Sequence, residues 1–101
     1  MALGYLAGLV DGEGTIGFAR NRPFMAVYNT STSLMEWLQS TIGGNVGGHD
    51  KRGRVISYCW KVTSARNVYA LCKTLESFLI IKGKRASEIM QYLEDRYGDK
   101  L

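Results

Sequence analysis

Two carboxylates stand close together near the start of the chain, Asp11 and Glu13, with glycines at 12 and 14. Carboxylate oxygens can hold a hard cation such as Mg²⁺, which keeps several waters and needs few protein ligands. The same two acids can equally be solvated groups at a helix end. A second chemically capable set is cationic. Lys51, Arg52 and Arg54 crowd around Gly53, and Arg22 and Lys61 lie in other segments. Such residues suit an anionic partner, since arginine can grip guanine or phosphate with two bonds and lysine meets phosphate as a point charge. Cys59, Cys72 and the single histidine, His49, are too few for a structural zinc site of the usual kind. His49 reads first as an exposed loop residue, then as a base contact, and last as a metal ligand.

The acids end an apolar run in which Leu3, Leu6, Leu9 and Val10 recur at helical spacing. Gly4, Gly8 and Gly12 sit four apart with Ala7 beside Gly8, so a second face of that helix is almost bare. Each interior glycine costs a helix roughly 1 kcal/mol relative to alanine. A row of them predicts close approach by another helix. The run ends too early to span a membrane.

After Gly14 the period changes to that of strands. Ile16 and Phe18 alternate toward a core, Asn21-Arg22-Pro23 signals a turn, and Met25 and Val27 face inward on the returning strand. Arg22, Phe24, Ala26, Tyr28 and Thr30 fall on the opposite face, which is poor in bulky aliphatics and suited to solvent or a polar ligand. Ser33 with Glu36 predicts a capping box for a helix carrying Leu34, Leu38 and Ile42, ended by Gly43-Gly44. Residues 45–48 and 55–63 read as two more strands around the basic tip, with Ile56, Tyr58, Trp60 and Val62 as the core-like set. Ser64 opens a helix bearing Val68, Leu71, Cys72, Leu75, Phe78 and Leu79, and Ala86, Ile89, Met90 and Leu93 mark a last one. The expected fold is α+β, in the order αββαββα with a trailing helix: one antiparallel sheet with helices on one side and an open face on the other.

The 101 residues are expected to form a single domain, 1–101. With 46% hydrophobic and 22% charged residues, disorder is a poor reading, and a net charge of +4 favours an anionic partner only weakly. No basic leader precedes the acids, so a signal peptide is not expected and an intracellular, reducing setting is.

Leu6-Ala7-Gly8-Leu9-Val10-Asp11-Gly12-Glu13-Gly14 resembles the signature of the LAGLIDADG homing endonucleases, matching six of nine positions and departing conservatively at Val10, Gly12 and Glu13. Further segments are similar in order: Val27-Tyr28-Asn29-Thr30 before Leu34-Met35, Tyr58-Cys59-Trp60-Lys61-Val62, and Phe78-Leu79-Ile80-Ile81-Lys82 before Lys84-Arg85-Ala86. The likeness runs along nearly the whole chain. It implies a DNA-binding saddle made by the sheet and, with one motif copy, a homodimer whose motif helices pack at a two-fold axis through Gly4, Ala7, Gly8 and Asp11. It further implies Mg²⁺ or Mn²⁺ held by Glu13 and the Gly12 carbonyl, and an active-site lysine at Lys82. Asn29 or Ser31 is the polar residue that organises active-site water. Asp11, the other acid of the motif, is expected mainly to satisfy backbone donors near the helix end.

Double-stranded DNA is the expected partner, with no membrane and no small-molecule substrate. A twisted antiparallel ribbon fits the major groove, and Asn21, Arg22, Tyr28, Lys51, Arg52, Arg54, Ser57 and Lys61 are the candidate contacts. The leading function is a site-specific endonuclease that makes double-strand breaks in a long, near-palindromic target. The alternative is a non-cleaving RNA maturase or DNA-binding regulator on the same scaffold. A purely structural dimer is disfavoured by the basic hairpin tips, and retention of Glu13 and Lys82 favours the enzyme.

Overall fold

The structure is a computed structural model that describes residues 2–51 and 55–101, with the side chains of residues 2, 49–51, 55 and 56 left aside. Helix α1 (Ala2–Glu13) runs without a connecting loop into strand β1 (Gly14–Ala19), followed by β2 (Arg22–Asn29), α2 (Thr32–Thr41), β3 (Asn45–Lys51), β4 (Val55–Val62), α3 (Ala65–Leu75), a 3₁₀ turn (Glu76–Phe78), α4 (Gly83–Tyr97) and a terminal 3₁₀ turn (Gly98–Lys100). The four strands form one antiparallel sheet in the order β1-β2-β4-β3. This is the expected α+β architecture.

Alternation along the strands gives the sheet one apolar face. Ile16, Met25, Val27, Trp60 and Val62 share it across the registers Ile16↔Met25↔Val62 and Val27↔Trp60. They join Leu6, Ala7 and Val10 of α1, Met35 and Leu38 of α2, Val68, Cys72 and Leu75 of α3, and Ala86, Ile89 and Leu93 of α4 in one buried cluster. Each fully buried Leu, Ile, Val or Met contributes roughly 1.5–3 kcal/mol. Trp60 also needs a partner for its indole N–H, and donates it to the Gly43 carbonyl at 2.6 Å. That approach explains the glycine pair ending α2. Both residues have left-handed φ (100° and 91°), and a Cβ on Gly44 would lie 2.8 Å from the Trp60 Nε1. Cys59 and Cys72 are both free and buried, and burial, with Glu76 nearby, pushes the Cys72 thiol up to about 12. Cys72 is therefore core packing, as its helix position predicts. Among the described residues no helix is long and apolar enough to cross a membrane.

Several local expectations shift. The first hairpin turns at Arg20-Asn21, not Asn21-Arg22-Pro23. Both turn residues have positive φ (52° and 67°), the two-residue geometry that matches strand twist. Pro23 is instead inside β2, opposite Phe18 and ahead of the β2–β4 ladder that begins at Met25↔Val62, so its missing N–H removes no bond to β4. Phe18 is 40% exposed near the end of the edge strand β1, where its ring meets Tyr92 of α4 edge-on at 4.8 Å. Leu3, at the start of α1, is likewise exposed. The α2 cap is Ser31, whose hydroxyl accepts the Leu34 N–H at 3.1 Å, and no Ser33–Glu36 box forms. The reason lies upstream: the Asn29 side-chain oxygen accepts the Ser31 N–H at 2.9 Å and starts the helix two residues early.

Candidate functional site

Asp11, Glu13, Asn29 and Lys82 meet at the C-terminal end of α1. Gly14 makes the junction possible, since a Cβ there would lie 2.8 Å from the Val10 Cα and 3.1 Å from the Ala26 carbonyl oxygen. Helix therefore passes straight into the sheet, and Glu13 is left exposed at the seam. Asn29, at the end of β2, donates its amide to Glu13 Oε2 at 3.1 Å while its own oxygen holds Ser31. Of the two candidates for the strand-end polar residue, Asn29 is thus the one that touches Glu13, and Ser31 is committed to the helix cap.

Asp11 turns the other way. Its carboxylate accepts the backbone N–H groups of Ile80 (2.6 Å), Lys82 (2.9 Å) and Ile81 (3.2 Å). The Lys82 ammonium donates to the Asp11 backbone carbonyl at 2.6 Å. Burial works to raise the Asp11 pKa, but the three N–H groups and the Lys82 charge together outweigh it and hold the carboxyl below its ordinary value of 3.8. The donors that Asp11 satisfies are not those of its own helix. They belong to the segment between the 3₁₀ turn and α4, which arrives because α3 and α4 pack on α1 and the sheet.

One carboxylate, Glu13, is therefore directed to the exposed surface, and Gly12 is exposed in the last helical turn, where carbonyls run out of intrahelical donors. Among the described residues no three His, Cys, Asp or Glu side chains gather as a ready-made metal cage. The donors present are all oxygens. They fit Mg²⁺ or Mn²⁺ completed by water and phosphate, and they do not fit zinc.

The bare face of α1 is open. Among the described residues a Cβ placed on Gly4, Gly8 or Gly12 would meet nothing within 4 Å, so no contact there requires these glycines. The other two residues expected at a helix–helix contact are occupied internally: Ala7 is 1% exposed in the core, and the Asp11 carboxylate is held by residues 80–82. Beside Asp11, Ile80 and Ile81 are 91% and 73% exposed.

The outer face of the sheet carries Arg22, Phe24, Ala26 and Tyr28 of β2 with Ser57, Cys59 and Lys61 of β4. Tyr28 is half-exposed, and a hydrogen bond with the Cys59 thiol raises its phenol pKa. Ala26 is buried even though it lies on this face. Asn21 is exposed in the hairpin turn, its carbonyl accepting the Tyr92 hydroxyl at 3.4 Å. Arg52 and Arg54 lie outside the described residues, as does the Lys51 side chain. Phe24, which type alone did not single out, lies beneath the Lys61 ammonium at 5.2 Å from the ring centroid. The signal for it was a diagonal cross-strand pairing, visible only once the register is known. An open recess of about 310 Å³ between α3 and α4 is separate from both regions, and its Tyr69–Glu94 and Ser87–Glu76 pairs bond each other.

No protein-family model matches the sequence, and no curated protein does. Solved structures do match the fold. The homing endonuclease I-CvuI, in complex with its target in the presence of calcium, superposes with a TM-score of 0.77 at 20% identity, over 92% of this chain and 66% of that one. The archaeal intron-encoded homing endonuclease I-Vdi141I, complexed with DNA, gives 0.74 at 17% identity, over 97% and 70%. The meganuclease I-SmaMI, bound to uncleavable DNA, gives 0.70 at 18% identity, over 97% of this chain but 40% of its own. The chain thus spans about two thirds of I-CvuI and two fifths of I-SmaMI. From the helix that runs into the sheet to the open strand face, the molecule has the fold of the LAGLIDADG homing endonucleases.

Proposed function

We propose that this chain is one subunit of a homodimeric, divalent-metal-dependent endonuclease that cuts both strands of a long, near-palindromic DNA site. The observation that carries the reading is the convergence of Glu13, Asn29 and Lys82, from three separated segments, at the end of a helix whose glycine face no internal contact requires. A two-fold axis along that face brings two such helix ends together, each with its acid. The exposed Ile80 and Ile81, bonded through their backbone to Asp11, add apolar surface beside that helix end. The 101 residues act in this reading as one domain.

Glu13 and the Gly12 carbonyl would hold Mg²⁺ or Mn²⁺, which when bound supplies charge neutralisation at the phosphate and water activation. Asn29 keeps the Glu13 carboxylate oriented toward the exposed surface. Lys82 places a fixed positive charge at the helix end, where negative charge develops during phosphodiester hydrolysis. Asp11 does no chemistry; it clamps the segment that carries Lys82. The DNA complexes of the structural neighbours support duplex DNA as the partner.

Glu13→Gln keeps the shape and removes the charge a cation needs. Single-turnover cleavage of the cognate site is expected to fall by several orders of magnitude, while DNA affinity survives. Sedimentation of the wild-type protein is expected to give a dimer, and a monomer would remove the paired site. Wild-type binding without cutting would favour the maturase or regulator. Undiminished cutting by Glu13→Gln would overturn the metal assignment.

A further inference from the structure

Among the described residues the outer face contains one cation that is held in place, and it lies near the middle of the face. Lys61 is half-buried on the central strand β4, opposite Ala26 on one side and Asn45 on the other. Its ammonium sits 5.2 Å from the centroid of the Phe24 ring, on the diagonally adjacent position of β2. The Phe24 ring in turn lies across Gly17, where an added Cβ would meet the ring at 3.6 Å. Gly17 and Ala26 are both buried on this face, so the lysine and the ring rest on a floor with almost no side chains. Arg20 and Arg22, at the hairpin end, are exposed and make no salt bridge or side-chain hydrogen bond among the described residues.

Base readout and phosphate binding place different demands on a cation. Phosphates line both strands at every step, so a mobile side chain finds one wherever it reaches. A base edge offers acceptors at one place only, and a long side chain that must first be ordered loses rotamer entropy in meeting it. A lysine already held above a ring has lost part of that freedom before binding. The best-matched acceptors for an ammonium in the major groove are the O6 and N7 of guanine.

Resting on the reading of this face as a duplex-DNA surface, we infer that Lys61 is a base-reading residue specific for guanine and that Phe24 is its positioning residue. The exposed hairpin arginines contact phosphate instead. Lys61 thus discriminates between sequences, and Phe24 acts through it rather than through the DNA.

The test is selection of bound duplexes from a randomised library, with calcium as the divalent ion, followed by affinity measurements across a salt series. Wild-type protein is expected to enrich guanine at one position of each half-site. Lys61→Met is expected to lose about 5- to 150-fold of preference at that position. Phe24→Leu is expected to weaken preference at the same position by about 2- to 5-fold, with the salt dependence unchanged. Phe24→Tyr, which keeps the ring, retains it. Uniform loss of affinity for all sequences with a flatter salt slope in Lys61→Met would make Lys61 a phosphate contact and overturn the inference. Relaxation by Phe24→Leu at a different position would overturn the positioning role. Enrichment of no sequence by the wild-type protein would remove the DNA reading itself, and the inference with it.

Discussion

The end of α1 and the outer face of the sheet are both polar, but they are organised in opposite ways. At the helix end Asp11, Glu13, Asn29 and Lys82 all make side-chain hydrogen bonds, drawn from segments up to 71 residues apart. On the outer face and at its hairpin end Arg22 and Arg20 stand exposed with no such bonds among the described residues, and of the described cations there only Lys61 is held, by a ring rather than an anion. Groups that must meet developing charge gain from being fixed in advance, because nothing has to reorganise during the reaction. Groups that track a long polyanion gain from freedom, because release of counterions rather than geometry supplies most of their affinity. Under the proposed function, the contrast separates a region suited to chemistry from one suited to adherence.

After Glu13→Gln, the largest effect expected from breaking this contrast is at Lys82. Lys82→Met keeps the length of the side chain but removes the charge and the bond to the Asp11 carbonyl. Single-turnover cutting should slow by about 10²–10³-fold, with affinity for the same duplex nearly unchanged. A wild-type rate would reduce the whole network to scaffolding.

Asp11→Asn comes next, and its readout is stability. Three backbone N–H groups lose an anionic acceptor, which costs about 1.5–3 kcal/mol for hydrogen bonds to a charged group. The Asp11 pKa is lower folded than unfolded, so its contribution is complete above the ordinary value of 3.8 and is lost as pH falls through the folded pKa. The gap in denaturant midpoint between wild type and Asp11→Asn should therefore be widest near neutrality and close below about pH 4. A gap that does not change with pH would show that the charge is not what holds residues 80–82.

Arg22→Ala should have the smallest effect. Losing one exposed cation should lower the slope of log affinity against log salt by about 0.9, with a similar loss for every sequence. A loss confined to one base position would show that the hairpin end is as ordered on DNA as the centre of the face.

Much of this organisation was readable locally. The spacing of Leu6 and Val10, the alternation through Met25 and Val27, and the glycine pair after Ile42 report helix, strand and helix end, because each depends on neighbours within a turn or a pleat. The nine residues from Leu6 to Gly14 and the segment from Phe78 to Lys82 carried the resemblance that picked out Glu13 and Lys82. The partners of those residues were not readable. Asp11 was expected to satisfy donors close by, yet its donors are 69 to 71 residues away. Whether Asn29 or Ser31 would meet Glu13 hung on two residues of loop, and the side-chain bond between Asn29 and Ser31 decided it. The Phe24–Lys61 pair required a strand register that periodicity alone does not specify. Sequence by itself determined which residues sit on which face of each element, since the backbone period and side-chain polarity settle that locally. Only the tertiary structure decided which faces and ends meet, because that follows from how one shared core packs and not from any single element.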